Sequence, residues 1–213
     1  MAPNQSDPPI SYSTMAVEDL LDAFASSDPV PGGGSAAALA GAVGVSLLMM
    51  VAGLPKTRTG APEEAADLSE ASSRLRPLRE MLTSLIDKDS EAYQAVLAAY
   101  RLPNGTDAEK ATRRTAVETA MRGATEVPLD TMRVCQQALR GATIIASNGN
   151  ANAASDTGVG VQLLLAALRG AGLNVDVNTG SITDAAYVAR IKEEREELER
   201  EGTADAQTAS CAP

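Results

Sequence analysis

Histidine and tryptophan are absent from this 213-residue chain, and it has one Phe, four Tyr and two Cys. Histidine most often exchanges protons near neutral pH and most often binds metals, so its absence excludes Ser-His-Asp hydrolases and histidine-built zinc sites. The cysteines, Cys135 and Cys211, have neither metal-ligand spacing nor a disulfide framework, and no metal site is expected. Basic residues are the minority: 18 Lys and Arg against 28 Asp and Glu leave a formal charge of -10, which argues against non-specific nucleic-acid binding. With so few aromatics, the 44% of hydrophobic residues must build a core from Ala, Leu, Val and Met. That composition suits close-packed helices better than strands. The stretch Met1 to Asp7 lacks a basic segment followed by an apolar one, so a cytoplasmic protein is expected.

Residues 1–14 and 202–213 carry no apolar period and read as mobile tails around one domain at 15–201. Within it, apolar residues recur at helical spacing, interrupted by Pro and Gly. The parse predicts helices at 16–26, 35–54, 62–101 with a kink at Pro77, 107–147 bent or broken near Pro128, 156–171 and 184–201. Short connections make this an all-α antiparallel bundle. The alternation from Leu173 to Asn178 marks the one segment that could be extended, and the charged run Lys192 to Glu197 reads as a solvated helix face. The apolar run Ala36 to Leu54 is long enough to span a bilayer, but its Ala and Gly content makes it weakly hydrophobic. A buried central helix, whose Ala37, Ala40, Gly41 and Gly44 admit close neighbours within the subunit or across a dimer, is the better account, with no membrane partner.

Three segments could carry chemistry. Gly32, Gly33 and Gly34 lead into Ser35, which can cap a helix whose free N–H groups would face an anion or a carbonyl. No Lys-Ser/Thr follows and no strand precedes, so this is neither a P-loop nor a dinucleotide fingerprint, and a glycine-rich helix entry also serves simply as a turn. On the next helix, about 100° per residue places Asp89 inside the apolar stripe of Leu82, Leu85, Tyr93 and Val96. A carboxylate there is either a structural group satisfied by a neighbour or a tuned acid/base, and without histidine Asp89 is the first candidate for proton transfer. The third segment, Asn148 to Gly158, offers Asn150, Asn152, Ser155 and Asp156 before an apolar helix, with Asn174 and Asn178 further on. Ser155 or Asp156 would cap that helix, and the amides could read a heterocycle with several ring nitrogens.

Taken together, the Asp28 to Gly44 entry, Leu85 to Pro103, Ala124-Thr125-Glu126-Val127-Pro128-Leu129 and Gly149-Asn150 through Asn178 resemble, in order and spacing, the cyclodeaminase/cyclohydrolase family. The resemblance implies an all-helical homodimer acting on one-carbon units of tetrahydrofolate without metal or redox cofactor. By matching position, Gly32, Gly33, Gly34, Ser35, Asp89, Ser155 and Asp156 would bound the folate site. Asp89 or Asp156 would be the base, and Asn150, Asn152 and Asn174 would contact the pterin. Ala52 to Arg58 replaces a stretch that in the family is usually richer in Lys, and Lys56 and Arg58 are the expected contacts for the folate glutamate. The implied reaction is hydrolysis of 5,10-methenyltetrahydrofolate to 10-formyltetrahydrofolate. The alternatives are a cyclodeaminase that releases ammonia from formiminotetrahydrofolate, and a non-catalytic folate-binding or helical interaction protein.

Overall fold

A computed structural model describes residues 11–211. Six helices follow in order: α1 (Val17–Ala25), α2 (Gly33–Ala52), α3 (Pro62–Tyr100), α4 (Asp107–Asn148), α5 (Ala154–Thr179) and α6 (Ala185–Ser210). No strand occurs among the described residues, so the all-α expectation holds. Local chemistry sets several helix starts. Pro62 opens α3 with Glu63 and Glu64 in its first turn. Thr106 and Glu109 form a reciprocal capping box on α4. The Asp184 carboxylate accepts from the N–H groups of Ala186 and Tyr187 at the start of α6.

Consecutive long helices pair antiparallel. Gly41 of α2 faces Leu82 of α3 while Ser35 meets Ile86, and Tyr100 of α3 meets Arg113 of α4 while Leu75 meets Gly141. α6 then returns parallel to α4, with Arg122 reaching Asp184, Arg133 reaching Glu194 and Arg140 reaching Glu201.

The centre of the bundle is α2. Gly44 lies under the Gly160 carbonyl of α5, where a Cβ would come within 2.8 Å, and Gly41 packs on Cys135 and Leu82. These glycines therefore serve contacts within the chain. Val45, Leu48, Leu82, Leu139 and Leu164 are fully buried around them. Both α2 and the segment Ala151–Thr179 have the length and apolarity to cross a membrane, and more than half of α2 is enclosed by the chain itself.

Several expectations need correction. The segment 173–178 is helical and belongs to α5, because Ala171, Val175 and Thr179 recur every fourth residue and are buried. Residues 202–210 are no tail: α6 runs to Ser210, with Gly202, Ala206 and Ala209 forming a buried stripe of small residues that the apolar-period reading passed over. Residues 11–14 pack on α3, where Ser13 donates its N–H (3.2 Å) and hydroxyl (2.5 Å) to Asp87. The tail assigned to residues 1–10 lies outside the described residues. The charged run is not wholly solvated, since Glu194 accepts from Arg133 at 2.7 Å and Arg195 pairs with Asp176 at 3.2 Å.

Helix α4 passes through Pro128 unbroken. Proline has no N–H to give the carbonyl four residues back, which is that of Ala124. The side-chain amide of Asn178 on α5 takes its place, donating to that oxygen at 2.7 Å.

Candidate active site

At the N-terminus of α2 the chain enters through Gly32, whose extended backbone is the N-cap, and no side chain of the loop caps the helix. The expectation that Ser35 would cap it is therefore corrected. The cap comes from another helix: Asp89 of α3 accepts the Ser35 backbone N–H at 2.9 Å and the Ser35 hydroxyl at 3.1 Å, both through Oδ2. The same hydroxyl lies 2.8 Å from the Ile86 carbonyl and 3.2 Å from the Ser90 hydroxyl, so Ser35, fully buried, fixes the carboxylate's orientation. Helix ends attract anions because their first N–H groups are unpaired and the peptide dipoles add up there, and Asp89 uses this field.

Asp89 Oδ1 takes no hydrogen bond from the described residues and lies over Gly34. Burial raises the Asp89 pKa above the ordinary aspartate value, while the Ser35 hydroxyl and N–H pull it back down. A half-buried carboxylate with one oxygen held and one free is equipped to accept a proton. On the opposite side of the loop stands Asn174 of α5, whose amide would lie 3.5 Å from a Cβ at Gly33. Its Nδ2 donates to the Gly170 carbonyl at 2.9 Å, and its Oδ1 would lie 3.7 Å from the same Cβ. Gly32 to Ser35, Asp89 and Asn174 thus share one end of the bundle.

The other predicted residues do not join them. The 20 residues of α2, at about 1.5 Å rise each, put its two ends about 30 Å apart. Because α5 runs antiparallel to α2, its start, with Asn150, Asn152, Ser155 and Asp156, lies at the far end together with Lys56 and Arg58. Neither Ser155 nor Asp156 caps α5, whose N-cap is Ala153; Asn150 instead caps the preceding 3-10 turn by accepting from the Asn152 N–H at 3.0 Å. Arg58 closes the C-terminal end of α4, donating a guanidinium N–H to the Ala146 carbonyl at 2.7 Å and its backbone N–H to that of Asn148 at 2.9 Å. Arg58, Asn150 and Thr157 help line a cavity of about 400 Å³ there. Lys56, Asn152 and Ser155 are exposed. Within one chain, Asp89 and Asp156 cannot act on the same one-carbon unit.

Sequence reasoning missed a polar cluster between α4 and the start of α6. The Tyr187 hydroxyl donates to Glu126 at 3.0 Å, and its ring lies 4.7 Å from the Arg122 guanidinium and 5.2 Å from that of Arg190. Burial and the Glu126 carboxylate push the Tyr187 phenol up to about 12. The residues come from two helices more than sixty positions apart, and no local pattern joins them. No cluster of metal-ligating side chains is present among the described residues.

Compared with known proteins, residues 16–197 match the formiminotransferase-cyclodeaminase family. A methenyltetrahydrofolate cyclohydrolase of Methylorubrum extorquens is 44% identical over 83% of this chain and 86% of its own length. The formimidoyltransferase-cyclodeaminase of Sus scrofa is 30% identical over 85% of this chain, which corresponds to 34% of that longer protein. Among solved structures, formiminotetrahydrofolate cyclodeaminase from Thermotoga maritima superposes with a TM-score of 0.82 at 27% identity, covering 92% of this chain and 94% of that one.

Proposed function

The chain belongs to the formiminotransferase-cyclodeaminase family, and from that premise we propose that it is a methenyltetrahydrofolate cyclohydrolase, converting 5,10-methenyltetrahydrofolate to 10-formyltetrahydrofolate. The observation that carries this reading is its likeness to the cyclohydrolase along most of both chains, at higher identity than its likeness to the longer formimidoyltransferase-cyclodeaminases.

The substrate's one-carbon unit is an amidinium and already electrophilic, so the reaction needs water placed on it and protons moved. In the proposed mechanism Asp89 Oδ1 accepts a proton from the attacking water as its oxygen bonds to the bridging carbon. The tetrahedral centre then collapses: the carbon–N5 bond breaks, N5 takes up a proton, and the formyl group stays on N10. One proton is released to solvent overall. The Asp89 charge also stabilises the bound cation, and Ser35 holds the carboxylate in place. Gly32, Gly33 and Asn174 border the space for the pterin. The scheme requires no metal or redox cofactor.

The structural likeness to a cyclodeaminase favours one second reading, in which N10 attacks a formimino carbon and ammonia leaves. Two assays separate them. Loss of the near-ultraviolet absorbance of 5,10-methenyltetrahydrofolate above the uncatalysed rate is the expected result. Ammonia release from formiminotetrahydrofolate without that loss would assign the cyclodeaminase, and silence in both with folate still bound would assign a non-catalytic folate-binding protein.

We further propose a cytoplasmic homodimer with no nucleic-acid or membrane partner. What supports a second copy is the apolar surface left on two adjacent helices: Val43 and Met50 of α2, and Val159, Leu173 and Val177 of α5, with Val177 74% exposed. Replacing Leu173 and Val177 by Lys is expected to give monomers in sedimentation; an unchanged dimer would place the interface elsewhere.

A further inference from the structure

Resting on the reading of Asp89 as the proton acceptor, we propose that the arm Ser11–Thr14 is a strap across the candidate site, with Tyr12 its positioning residue. It joins the glycine entry of α2 to the turn of α3 that carries Asp89. The arm lies ahead of the residues that match the family. It forms a 3-10 turn, Tyr12–Thr14, and sends the Tyr12 ring, 6% exposed, into the main core.

Three segments grip one another in a closed ring. The Tyr12 hydroxyl donates to the Val30 carbonyl at 3.3 Å, just ahead of the Gly32 N-cap of α2. From that entry Ser35 reaches α3, giving its hydroxyl to the Ile86 carbonyl at 2.8 Å and its N–H to Asp89 at 2.9 Å. From α3, Asp87 turns back to the arm. It accepts the Ser13 N–H at 3.2 Å, the Ser13 hydroxyl at 2.5 Å and the Ser11 hydroxyl at 3.1 Å. Asp87 and Asp89 stand about 200° apart around the helix, so the arm and Ser35 hold the same turn from opposite sides.

The Tyr12 link matters because the chain between α1 and α2, residues 26–32, is not helical. Asp28 bonds only to the nearby Ser26 hydroxyl, and the Tyr12 hydroxyl supplies the one hydrogen bond that ties this stretch to another segment among the described residues. Burial, then the charges of Asp28 and Asp87, raise the Tyr12 pKa above the ordinary phenol value, so the hydroxyl stays protonated and remains a donor. Where Val30 is held sets where Gly32 and Gly33 lie and, through Ser35, how the Asp89 carboxylate is presented. The arm thus acts on the reaction through Ser35 and Asp89 without touching the substrate.

The test is Tyr12→Phe in the full chain, which keeps the ring in the core and deletes one hydroxyl. Well below the unfolding temperature, hydrogen exchange of the Ser35 amide, read by NMR, is expected to quicken about fivefold, the worth of one neutral hydrogen bond. The kcat for 5,10-methenyltetrahydrofolate should fall by a similar factor. An arm that only adds stability would lower the melting temperature and leave both quantities unchanged in the folded protein, and that result would overturn the strap. Asp87→Ala cuts the ring at its other anchor with a residue that suits a helix, and is expected to produce the same two changes. Asp87→Asn keeps an acceptor oxygen and should restore most of what Asp87→Ala loses. Because either cut opens the ring, Tyr12→Phe/Asp87→Ala is expected to lose little more than one single variant; fully additive losses would overturn the strap. The exchange measurement needs no substrate. Quickened exchange in a chain whose parent does not turn over 5,10-methenyltetrahydrofolate would sink the reaction and leave the strap, whereas turnover with exchange and kcat unchanged by both variants would do the reverse.

Discussion

The Asp89 carboxylate occupies the space in which a side chain at Gly34 would begin. A Cβ at Gly34 would overlap Oδ1 and stand 2.8 Å from Oδ2. The glycine-rich entry to α2 is therefore shaped at this position by a residue 55 places further along the chain, and the two segments singled out by their sequence form one unit.

Gly34→Ala is expected to displace Asp89 from Ser35, since neither backbone nor carboxylate is the loose end of a flexible chain. Overpacking of this kind costs about 1–3 kcal/mol. Thermal unfolding should register that loss, and turnover should fall far more than folate binding does.

Asp89→Asn keeps an oxygen that can accept the Ser35 N–H, so the fold is expected to persist. Turnover of 5,10-methenyltetrahydrofolate should fall at least about a hundredfold, the share a positioned general base contributes. A variant with unchanged turnover would remove Asp89 from the mechanism.

The pH dependence follows from the raised pKa of Asp89. A carboxyl group held above its unfolded value contributes stability that is full below the ordinary aspartate range and is lost as pH rises through the folded value. Turnover runs the other way, because the base must be ionised, so the acid limb of kcat/KM should lie above the ordinary aspartate value. Ser35→Ala removes a hydrogen bond to the charged form and should move that limb to still higher pH.

Glu64 sets the opposite sign in the loop that carries Lys56 and Arg58. The Thr57 hydroxyl at 2.6 Å, the Thr59 N–H at 2.9 Å and the Thr59 hydroxyl at 2.9 Å hold its carboxyl down to about 2. Its contribution to loop order is thus present above the ordinary glutamate value and is lost as pH falls through about 2. A carboxyl-carbon NMR titration should find Glu64 still ionised below the ordinary glutamate value.

The two cysteines should differ in reactivity. Cys135 is fully buried against α2 and burial pushes its thiol up to about 12, while Cys211 is exposed. A thiol reagent is expected to label one cysteine per native chain and two after denaturation.

Helical period, caps and composition were legible along the chain because each depends on neighbours within a few residues. They are enough for an all-α bundle, for the order of its helices and for Asp89 as a carboxylate on an apolar face. Where the reading stopped short, the cause was long-range. The stripe Gly202, Ala206 and Ala209 is apolar only by virtue of being small, and it is buried because α6 lies against α4 and α5. Asn178 looks like a free amide until Pro128, fifty residues earlier, leaves the Ala124 carbonyl without a donor. The division of the candidate residues between two ends also belongs to the tertiary structure. Local spacing says which side chains share a face of one helix, but the antiparallel packing of α2 on α5 decides which ends meet. That packing joins Asn174 to Gly33 and carries Asp156 away from Asp89, because Gly44 and Gly160 let the two backbones come together in that single register.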